Sequence, residues 1–183
     1  MKIKKILFVV VCIVMAQPAV LAQKKYKLSN AEISFFSEAP MENIEAINKT
    51  TAGIIDPATN KFTFRAKIKD FVFNSSLMQD HFNENYLESE KYPNSTFKGV
   101  IIGDYDLEKG GLYTVIAKGE FTIHGVTKPV EIKTSITVKN GTVSISSEFK
   151  VTLEDYKIEI PSLMFQKIAE VIDIKVDSKL ESF

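Results

Sequence analysis

The side chains able to do proton or metal chemistry near neutral pH are few, and their spacing limits what they can do. There are two histidines, His81 and His124, and one cysteine, Cys12. His81 stands between Asp80 and Glu84 in the run NSSLMQDHFNENY, Asn74 to Tyr86. A zinc helix sets two histidines four residues apart, and zinc sites in general draw on several His or Cys ligands. One histidine flanked by carboxylates meets neither requirement, so His81 is read as packing beside Phe82 and orienting its helix through a hydrogen bond. His124, in Ile123-His124-Gly125-Val126-Thr127-Lys128-Pro129, is a candidate general base or a polar contact for a ligand head. No neighbour in the sequence holds its tautomer, so it is read first as a bend residue bonded to backbone. His124 and His81 stay as the candidate polar contacts. The acid pair Glu154-Asp155 has no evident partner, and no phosphate loop, Gly-x-Ser-x-Gly elbow or dinucleotide fingerprint occurs. The expectation is a protein that is no enzyme, with no catalytic residue, metal or cofactor.

The first residues stand apart from whatever fold positions these groups. Lys2, Lys4 and Lys5 precede the apolar run Ile6 to Ala16, and Val20-Leu21-Ala22 offers small residues at a cleavage site. This pattern is that of a secretory signal peptide, residues 1–22, cut after Ala22 to leave residues 23–183 as a single domain. The apolar run is shorter than the ~20 residues that span a bilayer. Cys12 follows Val11, where a lipoprotein would carry a small residue. A periplasmic or secreted soluble chain without a stable membrane span is expected. Basic and acidic residues number 23 each, and removing three lysines leaves the chain slightly acidic. Its lysines alternate with acids along the sequence, which excludes a nucleic-acid-binding face. Without a cysteine after residue 22, the domain must rely on its hydrophobic core.

That core is written in period-two alternation. Tyr113, Val115, Ala117, Gly119, Phe121 and Ile123 occupy every second position, and after a break at His124-Gly125-Val126 so do Val130, Ile132, Ile136 and Val138. These are two long half-buried strands. Phe62, Phe64, Ala66 and Ile68 alternate with polar residues in Lys61 to Phe71, after a turn at Asp56-Pro57-Ala58-Thr59-Asn60. Further strands are expected over Tyr26–Phe36, Ile44–Ile55, Ser95–Ile102, Val143–Phe149 and Val171–Leu180. Asn140-Gly141 signals a type I′ hairpin. Only Asn74–Tyr86 changes period: Met78, Phe82 and Tyr86 recur every four residues with Leu77 beside them, and Ser76 with Gln79 resembles a capping box. A second helical turn is expected after Pro161.

Eight antiparallel strands, one short α-helix and no repeat predict a mainly β protein, a single closed or nearly closed barrel. At eight strands the interior is either filled by its own side chains or holds one small ligand. Ala66, Gly99, Ala117 and Gly119 share the inward phase. They either widen that interior or, in the case of the glycines, mark sharp bends of the wall.

Three segments together resemble the YceI-like proteins, often described as lipid or polyisoprenoid binding. They are MQDHF at Met78 to Phe82 with EKYPNSTF at Glu90 to Phe97, GEFTIHGVTKPV at Gly119 to Val130, and the closing FKVTLEDYKIEIP with IAEVIDIKVDSKL. The resemblance implies an exported, lipocalin-like eight-stranded barrel holding a long isoprenoid or fatty chain. One departure is Gln79, where the family pattern commonly has a basic residue.

The resulting expectation is a binding protein for a polyisoprenoid, isoprenoid quinone or fatty-acid-like lipid, for carriage, storage or protection. The alternative is a structural or interaction protein with a packed barrel. A lipid or isoprenoid ligand is the expected partner, and a homodimer is the expected assembly if there is one. The wall residues expected to line the site are Phe35, Phe64, Ile68, Phe97, Ile101, Tyr113, Val115, Phe121, Ile136, Ile145 and Phe149. Leu77, Phe82, Tyr156, Ile160 and Phe165 are expected nearer the mouth.

Overall fold

Alternating apolar residues produce strands, and strands long enough to twist and stagger produce a closed wall. The computed structural model describes residues 24–164 and 166–183. Residues 1–23, which hold the expected signal peptide and Cys12, and Phe165 lie outside the described residues. The strands are β1 (Tyr26–Glu38), β2 (Asn43–Asn48), β3 (Ala52–Asp56), β4 (Lys61–Lys67), β5 (Val72–Phe73), β6 (Asn94–Ile102), β7 (Gly111–Ile123), β8 (Val126–Lys139), β9 (Thr142–Thr152) and β10 (Val171–Ser182). Neighbours run β10-β9-β8-β7-β6-β4-β3-β1, and β1 pairs back onto β10 to close the barrel.

Ten segments make eight wall positions. β2 and β3 pair with β1 in one register, Ile33 opposite Asn48 and Tyr26 opposite Ile55, so they are one strand interrupted at Lys49, Thr50 and Thr51. The interruption has a cause. Asn48 is fully buried; its Nδ2 donates to the Lys67 carbonyl at 2.9 Å, while its Oδ1 accepts from the Thr50 amide at 2.9 Å and the Thr51 hydroxyl at 3.2 Å. An Asx-type turn thus takes over where the ladder lapses. β5 resumes the line of β4 beside β2 after a 3-10 turn at Ile68–Asp70.

β1 contains a bulge. Asn30 has φ 50°, and the register to β10 shifts by one between Ser29 and Glu32. The inward phase therefore passes from Leu28 to Ile33 and Phe35. The buried Ser178 hydroxyl lies 3.2 Å from the Ser29 carbonyl and steadies this kink.

The predicted Asn140-Gly141 turn is present, with φ 51° and 74°. The break before β8 proves to be a second turn of the same kind. His124 and Gly125 have φ 51° and 71°, and Ile123 pairs directly with Val126, which makes this a two-residue hairpin rather than an open bend. Glycine is required at 125 on a second count, since a Cβ there would fall 2.4 Å from the Tyr92 ring.

The helical stripe forms α1 (Ser76–His81), which continues into a π-helical turn, Phe82–Tyr86, closed by the Leu87 amide donating to the Phe82 carbonyl at 2.9 Å. Ser75, not Ser76, is the N-cap, its hydroxyl accepting from the Met78 amide at 3.4 Å. Gln79 serves outside the cap, accepting from the Phe73 amide at 3.4 Å. β4 ends its pairing with β6 at Lys67 opposite Asn94. Past that point β5 has only β2 as a neighbour, and the helical segment occupies the missing stretch of wall. Phe82 pins it there against Phe73 (4.9 Å between ring centres), Phe35 (5.5 Å) and Phe71 (5.8 Å).

Leu107, in the β6–β7 connection, is buried among Tyr26, Ile55, Phe62 and Val138 and plugs the opposite end. At that closed end the Phe183 amide donates to the Lys25 carbonyl at 2.9 Å. Among the described residues no helix is long and apolar enough to cross a membrane.

Gly99 and Gly119 face each other across β6 and β7. A Cβ on Gly99 would lie 2.0 Å from the Lys118 carbonyl oxygen, and one on Gly119 2.2 Å from that of Lys98. The two strands press together so closely that these glycines mark a sharp coil of the wall. Gly99→Ala or Gly119→Ala is expected to destabilise the barrel by about 3 kcal/mol, the upper end for overpacking, because the obstruction is backbone. Denaturant titration of each variant checks this; a loss below about 1 kcal/mol would refute it.

Candidate functional site

Inward-facing side chains of all eight wall positions enclose a cavity of about 260 Å³. One water needs on the order of 10–15 Å³ of such space, so this is room for a guest molecule rather than a packing defect. Of the side chains expected to line it, Phe35, Phe64, Ile68, Phe97, Ile101, Val115, Phe121, Ile136, Ile145 and Phe149 do so, together with Phe82 from the π turn and His81 from α1. Ala66 and Ala117 line it as well, whereas Gly99 and Gly119 do not. The alanines provide the width and the glycines provide the bend.

Other expected residues lie elsewhere, each for a physical reason. Leu77 points outward from α1 and is 61% exposed, because the turn of the helix that brings Met78 and Phe82 inward sends its neighbour out. Tyr113 has the inward phase but sits at the closed end, its hydroxyl donating to the Lys109 carbonyl at 2.9 Å. Tyr156 is buried against the lining side chains at the β7–β8 hairpin end, its ring 5.6 Å from Phe121, without lining the cavity itself, and Ile160 is half-buried in the β9–β10 connection away from the cavity. His124 is also outside the cavity.

His124 instead ties the rim together. One ring nitrogen lies 2.8 Å from Glu88 Oε2 and the other 3.2 Å from the Tyr156 carbonyl, with the Tyr92 ring edge-on at 4.8 Å. Both partners are acceptors, so an imidazolium donates to both and a neutral ring to one. The β7–β8 hairpin, the loop after the π turn and the 3-10 turn Glu154–Tyr156 are thus joined at one residue. The orienting partner that the local sequence lacks comes from Glu88. Lys128, paired with Asp155, holds the same turn from outside.

The cavity lining is mostly apolar. Its serine and threonine hydroxyls have protein partners: Ser95 donates to the Thr122 carbonyl at 3.0 Å, Thr134 and Ser147 hydroxyls meet at 2.8 Å, and Ser37 accepts from the amide of Ala169, in the β9–β10 connection, at 2.9 Å. Burial pushes the Tyr86 phenol up, so it stays neutral beside the cavity. The Ser95, Thr134, Ser147 and Ser37 hydroxyls of the lining are thus already engaged with protein partners. Glu42, on the β1–β2 turn, and Lys167, on the β9–β10 connection, are charged lining groups at the open end that the sequence did not single out. Each is one charge beside a turn, a pattern indistinguishable from solvated surface. The missed apolar lining, Ile33, Phe62, Phe71, Phe73 and Met78 among it, carried the same alternation or helical signal as the residues named.

A family model described as a YceI-like domain matches residues 26–180. No curated protein matches the chain. Among solved structures, a polyisoprenoid binding domain from Saccharophagus degradans is similar at TM-score 0.73 and 13% identity, covering 86% of this chain and 98% of that one. Burkholderia cenocepacia BcnA gives TM-score 0.68 at 15% identity, covering 81% and 95%. The Campylobacter jejuni YCEI protein gives 0.62 at 18%, covering 79% and 88%.

The hydrogen bond from His124 holds the Glu88 carboxyl below its ordinary value of 4.5, with Lys91 adding to the effect. A depressed carboxylate contributes stability above its unfolded-state value and loses it as pH falls through the folded-state value. Glu88→Ala is therefore expected to melt below the wild type at pH 7, with the gap closing as pH drops below 4.5. Thermal melts across that range test it, and a gap independent of pH would contradict the assignment.

Proposed function

The chain belongs to the YceI-like family, and from that premise we propose that it binds a long-chain apolar ligand, a polyisoprenoid, isoprenoid quinone or fatty-acid-like lipid, inside the barrel. The observation that carries this reading is the cavity itself, lined mostly by apolar side chains, with the Ser95, Thr134 and Ser147 hydroxyls of its wall already paired. A hydrocarbon asks for no directional contact. Each buried CH₂ contributes ~0.8 kcal/mol, so ten of them contribute about 8 kcal/mol before the cost of association. The structural likeness to a polyisoprenoid binding domain supports the same class of ligand. We read its role as carriage, storage or protection of the ligand rather than catalysis, and the engagement of both His124 ring nitrogens in the rim supports that reading.

Gentle purification followed by organic extraction and mass spectrometry is expected to recover one hydrocarbon-tailed molecule per chain. Ala117→Phe, which fills the cavity from the β7 wall, is expected to abolish that recovery while the variant still folds. An empty wild-type barrel that also fails to take up added lipid would overturn the proposal.

Residues 1–22, with their basic start, apolar run and Val20-Leu21-Ala22, support export as part of the same reading. N-terminal sequencing of the expressed protein is expected to begin at Gln23 in the exported fraction, and a start at Met1 there would contradict it.

A further inference from the structure

The open end of the cavity differs in chemistry from its interior. Among the described residues, one acid, one lysine and one histidine belong to its lining: Glu42 from the β1–β2 turn, Lys167 from the β9–β10 connection and His81 from α1. Glu42 and Lys167 are half-buried and His81 is exposed. The turn and the connection are fastened to each other, since the Met41 amide donates to the Gln166 carbonyl at 2.9 Å, and this brings the residues that follow each, Glu42 and Lys167, onto one side of the opening. Among the described residues, the ion pairs at this end of the barrel do not include them: Lys128 pairs with Asp155, Lys150 with Asp173, and Lys69 with Glu90. One carboxylate, one amine and one imidazole thus belong to the lining of an otherwise mostly apolar cavity.

We propose that Glu42, His81 and Lys167 form a head-group site for an uncharged polar head that both donates and accepts hydrogen bonds, a hydroxyl or hydroxy-carbonyl group at the end of the apolar tail. The inference rests on the binding role proposed above and names the head that the site selects. Lys167 donates only, Glu42 accepts only, and His81 does either. A neutral hydroxyl uses all three. A carboxylate or phosphate would gain Lys167 and be repelled by Glu42, with half-burial of both residues sharpening the penalty. A tail without a head would leave the three groups hydrated and gain nothing from them.

Four probes that share a hexadecyl tail separate these cases: hexadecanol, palmitate, hexadecyl phosphate and hexadecane, each competing with a fluorescent apolar dye. Wild type is expected to prefer hexadecanol over palmitate and hexadecyl phosphate by about tenfold, which is about 1.4 kcal/mol. Lys167→Met should weaken hexadecanol about fivefold, the loss of one charge-assisted hydrogen bond, with hexadecane unchanged. Glu42→Gln should bring the two anions to within about twofold of the alcohol by removing the like charge. Circular dichroism melts confirm that the variants, all at the rim, are folded. Tighter binding of either anion by wild type, or an order of preference that neither variant alters, overturns the head-group site while leaving the lipid-binding role intact. If none of the four probes, hexadecane included, displaces the dye, the cavity's binding role fails and the head-group site with it.

Discussion

The seam between β1 and β10 makes this sheet a container. From Tyr26 opposite Ser182 to Phe36 opposite Asp173 the two strands pair along almost their whole length. Without that ladder the sheet would have two free edges, and its apolar face would have to be covered by something else. With it, the interior has no edge to satisfy and needs only side chains. The seam is also where the chain accepts a defect: Asn30 bulges out of register so that β1 can serve the closed end with Leu28 and the open end with Phe35. A straight β1 would turn one of those halves toward solvent.

Closure separates two kinds of polar group. Inside, hydroxyls of Ser37, Ser95, Thr134 and Ser147 are consumed by the wall, which leaves dispersion and hydrophobic transfer as the forces available to a guest. At the rim, longer charged side chains do two different jobs. His124, Glu88 and Lys128 fasten connectors to one another, whereas Glu42, Lys167 and His81 face the opening. The part of the wall with no ladder, between β5 and β6, falls at this end too, and Phe35, Phe71 and Phe73 hold the helical segment across it through Phe82.

Much of this was legible in the sequence because alternation is local. Phe62 to Ile68, Val115 to Phe121 and Ile132 to Ile136 announce both a strand and the face it buries, and the four-residue recurrence of Met78, Phe82 and Tyr86 announces the helix that plugs the wall. What stayed hidden depends on partners far along the chain. Nothing around Asn48 reveals that it will bond Lys67 and break its strand, and nothing around His124 reveals Glu88. Tyr113 and Tyr156 show a limit of another kind: phase and hydrophobicity tell which way a side chain points, but not whether open cavity or packed end lies in that direction. The π turn at Phe82 was invisible for a third reason, since its extra residue changes the hydrogen-bond ring and not the apolar spacing.

The hydrogen bond between the Phe183 amide and the Lys25 carbonyl gathers both ends of the described chain at the plugged pole, beside Leu107, with the opening at the other pole. A leader, fusion partner or surface tether joined at either end begins a full barrel length away from the entrance. The molecule can therefore be held by its polypeptide ends and still present its opening to whatever supplies or receives the guest. Joining those two ends and cutting the chain at a rim loop would keep every wall pairing while moving the handle to the entrance, a rearrangement of connectivity that leaves the vessel as it is.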